Sequence, residues 1–285
     1  MELKQIGTDT FFLAESALWC PEKNSYFFVN IFAGELFQYV NANGQLKKHK
    51  FGEIVSAVLL NNDGRLIVAT QKGIGFYDPD TEVFTPKVHP NAEWDKVSRY
   101  NDCKCDPCGR LYAGTMDLHG RKEQGKLFRI KSDWSWEIAL DNVDYSNGIV
   151  WDRDKMFYTD TYSGEVYSFD YAMDTGEIKN RKVLCQFPKG WPDGMAMDKD
   201  GNLWIALWGG FGLACVDQVT GKVLRNIKLP VPNVSSICFG GKNVLITTAQ
   251  KDLSKEEMNQ YRQAGAVYFG EIGVQGREFC RGKFF

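Results

Sequence analysis

Histidine is nearly absent from this chain. Only His49, His89 and His119 occur in 285 residues. None falls in a nucleophile–base arrangement, and there is no Gly-x-Ser-x-Gly elbow, which argues against a Ser-His-Asp hydrolase. No apolar run approaches the roughly 18 residues of a membrane span. The first seven residues carry no apolar core of a signal peptide. A cytoplasmic protein with no membrane partner is therefore expected. Charge of one sign is also lacking: 34 Lys and Arg stand against 36 Asp and Glu, with no basic block or stripe. That balance argues against nucleic acid as a partner. Without a secretory signal, the eight cysteines are expected as free thiols. Three of them cluster as Cys103-x-Cys105-x-x-Cys108. Zinc needs four ligands and no fourth is local, so packing is their expected role. Helical signal is scarce. Only Ser254 to Tyr261, with Ser254 and Glu257 at capping-box spacing, reads as a short helix.

What the chain has in quantity is β signal, repeated. Asp106 to Gly109 is a turn with Pro and Gly where a turn wants them. It joins the run ending at Cys105 to the strand starting at Leu111. Antiparallel pairing then sets Arg99 and Asn101, at the start of one strand, beside Thr115 and Met116, at the end of the next. The same turn-plus-strand recurs at Lys23–Val29, Asp63–Thr70, Asp154–Thr159, Asp200–Ala206 and Gly241–Thr248. The spacing of about 40 to 47 residues is that of a four-stranded propeller blade. Outer hairpins are legible too, as in Gly34–Tyr39 and Gly164–Phe169, closed by turns such as Asn43-Gly44 and Thr220-Gly221. Six units use up the chain, and no linker divides it. The expected fold is all-β: a six-bladed β-propeller with four-stranded antiparallel blades, one domain over residues 1–285, its ring closed by the N-terminal strand.

A polar residue recurs in register with these turns. Asn101 is eight residues before Gly109, Asn147 eight before Lys155, Asp193 eight before Gly201 and Ser56 eight before Gly64. Glu15 is nine before Asn24, and Ser235 and Ser236 lie near the same place in the last unit. These positions begin the innermost strands and should ring one mouth of the central channel. Turn chemistry accounts for any one Asn or Asp. It does not account for Glu15, Asn101, Asn147 and Asp193 together. That all-oxygen set suits a hard divalent cation such as Ca²⁺, Mg²⁺ or Mn²⁺, and leaves Zn²⁺ and Fe²⁺ open. Loops following each second strand lie on the same face. They offer Asp117, His119 and Trp208 as walls of a substrate pocket. The Gly-rich run after Trp208 lacks the Lys and the helix of a phosphate loop.

The sequence resembles the gluconolactonase, senescence-marker and luciferin-regenerating family of six-bladed propellers. The likeness covers nearly the whole chain. It rests on Ala14-Glu15-Ser16-Ala17-Leu18-Trp19, the Arg99 to Met116 stretch, Ser146-Asn147-Gly148-Ile149, Pro192-Asp193-Gly194-Met195, Leu203 to Gly210 and Cys238-Phe239-Gly240-Gly241. The resemblance implies one divalent metal held by Glu15, Asn147 and Asp193. It further implies that Arg99 contacts sugar hydroxyls and that Asn101 holds substrate or water beside the metal. This chain departs from the family's usual Gly and Pro around the metal Glu, having Ala14 and Ala17. It also lacks the acid that some members place near His119.

These readings converge on hydrolysis of a sugar acid lactone, such as a glucono-, xylono- or arabinonolactone, by a monomer or weak homodimer. With no histidine in the ring, the base must be a carboxylate or a metal-bound hydroxide. Asp193 is the expected base: Glu15 mainly holds the metal, and Gly194 allows close backbone approach beside Asp193. Two alternatives share the same features. One is a non-catalytic propeller that holds calcium or binds a partner, since fold alone does not decide function. The other is a metal-dependent esterase or phosphotriesterase.

Overall fold

The computed structural model describes residues 2–285. Each of the six sequence units forms a four-stranded antiparallel sheet, and the six sheets stand as blades around a central channel. Blades 1 to 5 span residues 14–50, 55–88, 98–143, 146–186 and 191–228. Blade 6 takes three strands from residues 234–271 and its outermost strand from Glu2–Gln5. Glu2 pairs with Glu271 and Gln5 with Tyr268, so the chain's start closes the ring as expected.

The second strand of each blade is buried on both faces, as in Ser25–Asn30 and Leu66–Thr70. Such strands read as continuous apolar runs rather than alternating ones. Six apolar clusters fill the six gaps between neighbouring blades. Phe27, Val29, Val58 and Val68 pack blade 1 against blade 2, and Trp204, Leu213, Ile237 and Phe239 pack blade 5 against blade 6. Outermost strands such as Val83–Val88 and Val223–Lys228 are largely exposed. The core is therefore a ring of interfaces, and no blade has a core of its own.

Every innermost strand carries one extra residue near its start. The shifts fall between Glu15 and Leu18, Val55 and Ala57, Tyr100 and Cys103, Asn147 and Ile149, Pro192 and Met195, and Val234 and Ser236. A bulge bends the strand and re-aims its side chains. Of the recurring polar residues, Glu15, Asn101, Asn147 and Asp193 are turned toward the channel at these bulges. At Ser16 the bulge needs a left-handed backbone, φ 56°. The Ser16 hydroxyl accepts from Val58 N at 2.9 Å, which holds that conformation against blade 2.

The opposite mouth is crossed by residues 275–285, which touch all six blades. Gly276 N donates to Gly241 O of blade 6 at 2.8 Å, and Arg277 N to Met197 O of blade 5 at 3.0 Å. Arg277 pairs with Asp152 of blade 4 at 2.6 Å, and Arg281 with Glu22 of blade 1. Gly282 N donates to Leu60 O of blade 2, and Lys283 N to Gly109 O of blade 3. A Cβ on Gly276 would lie 1.9 Å from that of Phe239, so only glycine fits where the strap enters.

The expected short helix forms over Lys255–Gln260. Ser254 Oγ accepts from Glu257 N, and Glu257 accepts from Ser254 N, completing the capping box. No helix among the described residues is long and apolar enough to cross a membrane.

Candidate active site at the channel mouth

Glu15, Asn101, Asn147 and Asp193 open onto one cavity at the bulged end of the channel, with Arg99 and Trp208 beside them. Glycine follows two of them for a steric reason. A Cβ on Gly148 would lie 2.6 Å from Asp193 O, and one on Gly194 would lie 2.7 Å from Ser235 O. Blades 4, 5 and 6 can approach this closely only because those side chains are missing.

A chain of hydrogen bonds fixes the amides. Arg99 Nη1 donates to Asn101 Oδ1 at 2.6 Å, and Asn101 Nδ2 to Asn147 Oδ1 at 2.8 Å. Asn147 Nδ2 donates to Thr161 Oγ1 at 2.7 Å, and Thr161 Oγ1 to Pro192 O at 3.0 Å. The chain crosses blades 3, 4 and 5 and ends on the residue before Asp193. It orients both amides and leaves a lone pair of Asn147 Oδ1 free for a further partner. Arg99 also donates to Tyr145 Oη at 3.3 Å. The Tyr145 loop is held in turn by Asp160, which accepts from Tyr145 N at 2.8 Å.

The acids are the unsatisfied part. Glu15 and Asp193 are buried, and Asp193 Oδ1 has no hydrogen-bond partner. Burial, then the charge of Asp102, raises the pKa of Glu15. Burial, then the charges of Glu15 and Asp102, raises that of Asp193. Asp102, from the same bulge as Asn101, is raised by its own burial. Arg99 and Lys104 oppose part of this for Glu15. Buried anions gathered without enough positive charge are costly unless a cation joins them. Two carboxylates, an oriented amide oxygen and an orphaned carboxylate oxygen fit a hard divalent ion, which would reverse the local pKa shifts. No cluster of three or more His, Cys, Asp or Glu suited to a metal occurs among the described residues. The candidate donor set is thus two acids completed by amide oxygens.

Two residues expected as pocket walls stand elsewhere. Asp117 ends the second strand of blade 3 and turns into its own loop. It accepts from His119 N at 2.8 Å and from Arg121 Nη2 at 2.6 Å. His119 is exposed on that loop. Neither lines the cavity with the acids. Ser235 and Ser236 also face away: Ser235 Oγ donates to Ala14 O and Ser236 Oγ accepts from Ala17 N, tying blade 6 to blade 1. The cysteine cluster behaves as packing, with Cys103 and Cys105 buried and all eight thiols free.

Sequence reasoning missed Leu13, Tyr145, Trp191, Tyr162, Thr161, Lys251 and Asp252, which share the cavity wall. A signal for three of them was present. Leu13, Tyr145 and Trp191 stand two residues before Glu15, Asn147 and Asp193, as Arg99 stands before Asn101. Strand alternation puts residues two apart on one face.

Residues 13–250 match the model of the SMP-30/Gluconolactonase/LRE-like region. The chain belongs to this family. It is 33% identical to regucalcin of Gallus gallus over 290 residues, covering 97% of this chain and 96% of that one. It is 31% identical over 271 residues to YvrE of Bacillus subtilis, assigned as a sugar lactone lactonase, covering 93% and 92%. Among solved structures, a luciferin-regenerating enzyme superposes with a TM-score of 0.90 at 26% identity, covering 99% of both chains. The family thus includes proteins named for lactone hydrolysis.

Proposed function

We propose that the chain hydrolyses the lactone of a sugar acid, using one divalent ion held by Glu15, Asn147 and Asp193. The observation that carries this reading is the pair of buried acids, one with an orphaned oxygen, beside two amides locked in place by Arg99 and Thr161. A scaffold that only binds a partner needs no such set. When bound, the ion supplies a Lewis acid for the lactone carbonyl and offsets the charge of the carboxylates.

The chain's own residues do the rest. Arg99, whose Nε has no hydrogen-bond partner, presents directional donors to hydroxyl groups of a small polar ring. Asn101 holds the Arg99 head and the Asn147 oxygen in place with both of its own N–H donors taken, and Trp208 offers an apolar wall. Asp193, with Oδ1 unpartnered, takes the proton of the attacking water. The carbonyl–ring-oxygen bond then breaks. The departing oxygen receives that proton, so the product is the open-chain hydroxy acid and Asp193 is restored. Asn101 and Asn147 cannot usefully accept a proton and serve to orient and ligate.

A panel of five- and six-carbon aldonolactones, assayed above their spontaneous hydrolysis, tests the substrate class. At least one should turn over faster with protein. Turnover of simple aryl esters alone would overturn the sugar reading.

A further inference from the structure

Trp191 opens its strand two residues before Asp193, toward solvent. Strand rise makes that a step of roughly 6.6 Å, about the span of one sugar ring. It pairs in register with Trp208 of the neighbouring strand, so the two side chains leave the sheet on the same face. Trp191 is 49% exposed and Tyr162 39% exposed, although both line the mouth above the acids. Charge lies beside the Trp208 ring. Lys251 Nζ lies 5.6 Å from the centre of the Trp208 ring and 2.8 Å from Asp252 Oδ2. Both Lys251 and Asp252 share the same wall. A lactone ring with its carbonyl at the acids is served by Arg99 and leaves this outer set unused.

Flat rings beside a Lys–Asp pair match a ligand with an apolar face and a hydroxylated edge. We infer that Trp191, Tyr162, Lys251 and Asp252 form an outer subsite for a second sugar unit, so that the preferred substrate is a glycosylated aldonolactone. The inference rests on the lactonase reading and names its substrate more closely. Trp191 and Tyr162 stack on the second ring, and Lys251 and Asp252 bond its hydroxyls.

The test uses the full chain saturated with divalent metal. The 1,5-lactone of gluconic acid is compared with its 4-O-glucosyl and 4-O-butyl derivatives. The glucosyl lactone should show a KM about tenfold lower than the parent, the size of one good stacking contact. The W191A variant should make the two equal, and W191F should restore most of the preference. Equal KM values in the wild type would overturn the subsite, as would a W191A variant that slows both lactones by one factor. An equal gain from the butyl group would make the wall merely apolar and overturn the sugar assignment. If no lactone turns over, the lactonase reading fails. Tryptophan fluorescence on adding 4-O-glucosyl gluconate then decides the subsite alone: saturable quenching lost in W191A supports it, and no quenching overturns it.

Discussion

Asp193 and Glu15 carry different predictions although they share a cavity. Glu15→Gln removes a charge from the metal and should weaken its binding at least tenfold, measured by titrating metal into chelated protein. Asp193→Asn should reduce turnover by at least about 10²-fold, the lower range for a general base. Saturating that variant with metal distinguishes ligand from base: persistent loss supports the base role, and full recovery contradicts it. Gly194→Ala should force blade 5 off blade 6, at a cost of about 1–3 kcal/mol in urea unfolding. Asp117 has a structural role with a pH signature. Arg121, aided by backbone N–H groups, holds its pKa down to about 2. A depressed carboxylate stabilises the fold above its unfolded pKa, and that stability is lost as pH falls through the folded value. Asp117→Asn should therefore cost on the order of 1 kcal/mol at pH 7, with the deficit shrinking from pH 4 toward pH 2. Glu15, Asn101, Asn147 and Asp193 were legible in the sequence because each stands at a fixed distance from a turn. Asp117 and His119 do not line the cavity with the acids, since an i to i+4 pair with Arg121 closes their loop on itself. Thr161 carried no charge or ring to mark it, and only the hydrogen-bond chain shows what it does.

Among elements, the bulged strand start matters most. Turn position and strand pairing were readable from Gly, Asn and Asp spacing. The six bulges were not, since a single extra residue leaves no mark in an apolar run. They nevertheless decide which side chains enter the channel. The strap over residues 275–285 was equally silent, being short of strand signal and held by scattered contacts. It buries Phe284 almost fully, and Asn61 closes a pair of hydrogen bonds on that residue, each 3.0 Å. Phe284→Ala should cost about 3–5 kcal/mol as a buried aromatic. Deleting residues 275–285 should lower Tm by roughly 10 °C in calorimetry, while the acids at the far mouth keep their places. An unchanged Tm would mean that the strap lies on the ring without supporting it.

At the scale of the whole molecule, the ring of interfaces explains how a channel can hold uncompensated acids. Each blade is clamped on both faces and at both ends of the chain, by Glu2–Gln5 in blade 6 and by the strap below. A rigid ring can keep Glu15, Asn147 and Asp193, from blades 1, 4 and 5, at one height without their bonding to one another. The family could be read from six short motifs in order, because repeats fix the spacing between them. Tyr162 and Lys251 of the outer wall could not, since only the closed ring brings blades 4 and 6 up to Trp191 of blade 5. The central claim is that one divalent ion at this mouth is required for lactone hydrolysis. The most direct measurement is to strip the protein with chelator, add back metal in steps, and follow acid release from an active aldonolactone in a pH-stat. Activity should be absent at first, rise in proportion to metal, and level off at one ion per chain. Full activity in the stripped protein, or a plateau that Glu15→Gln does not shift to higher metal concentration, would contradict the account.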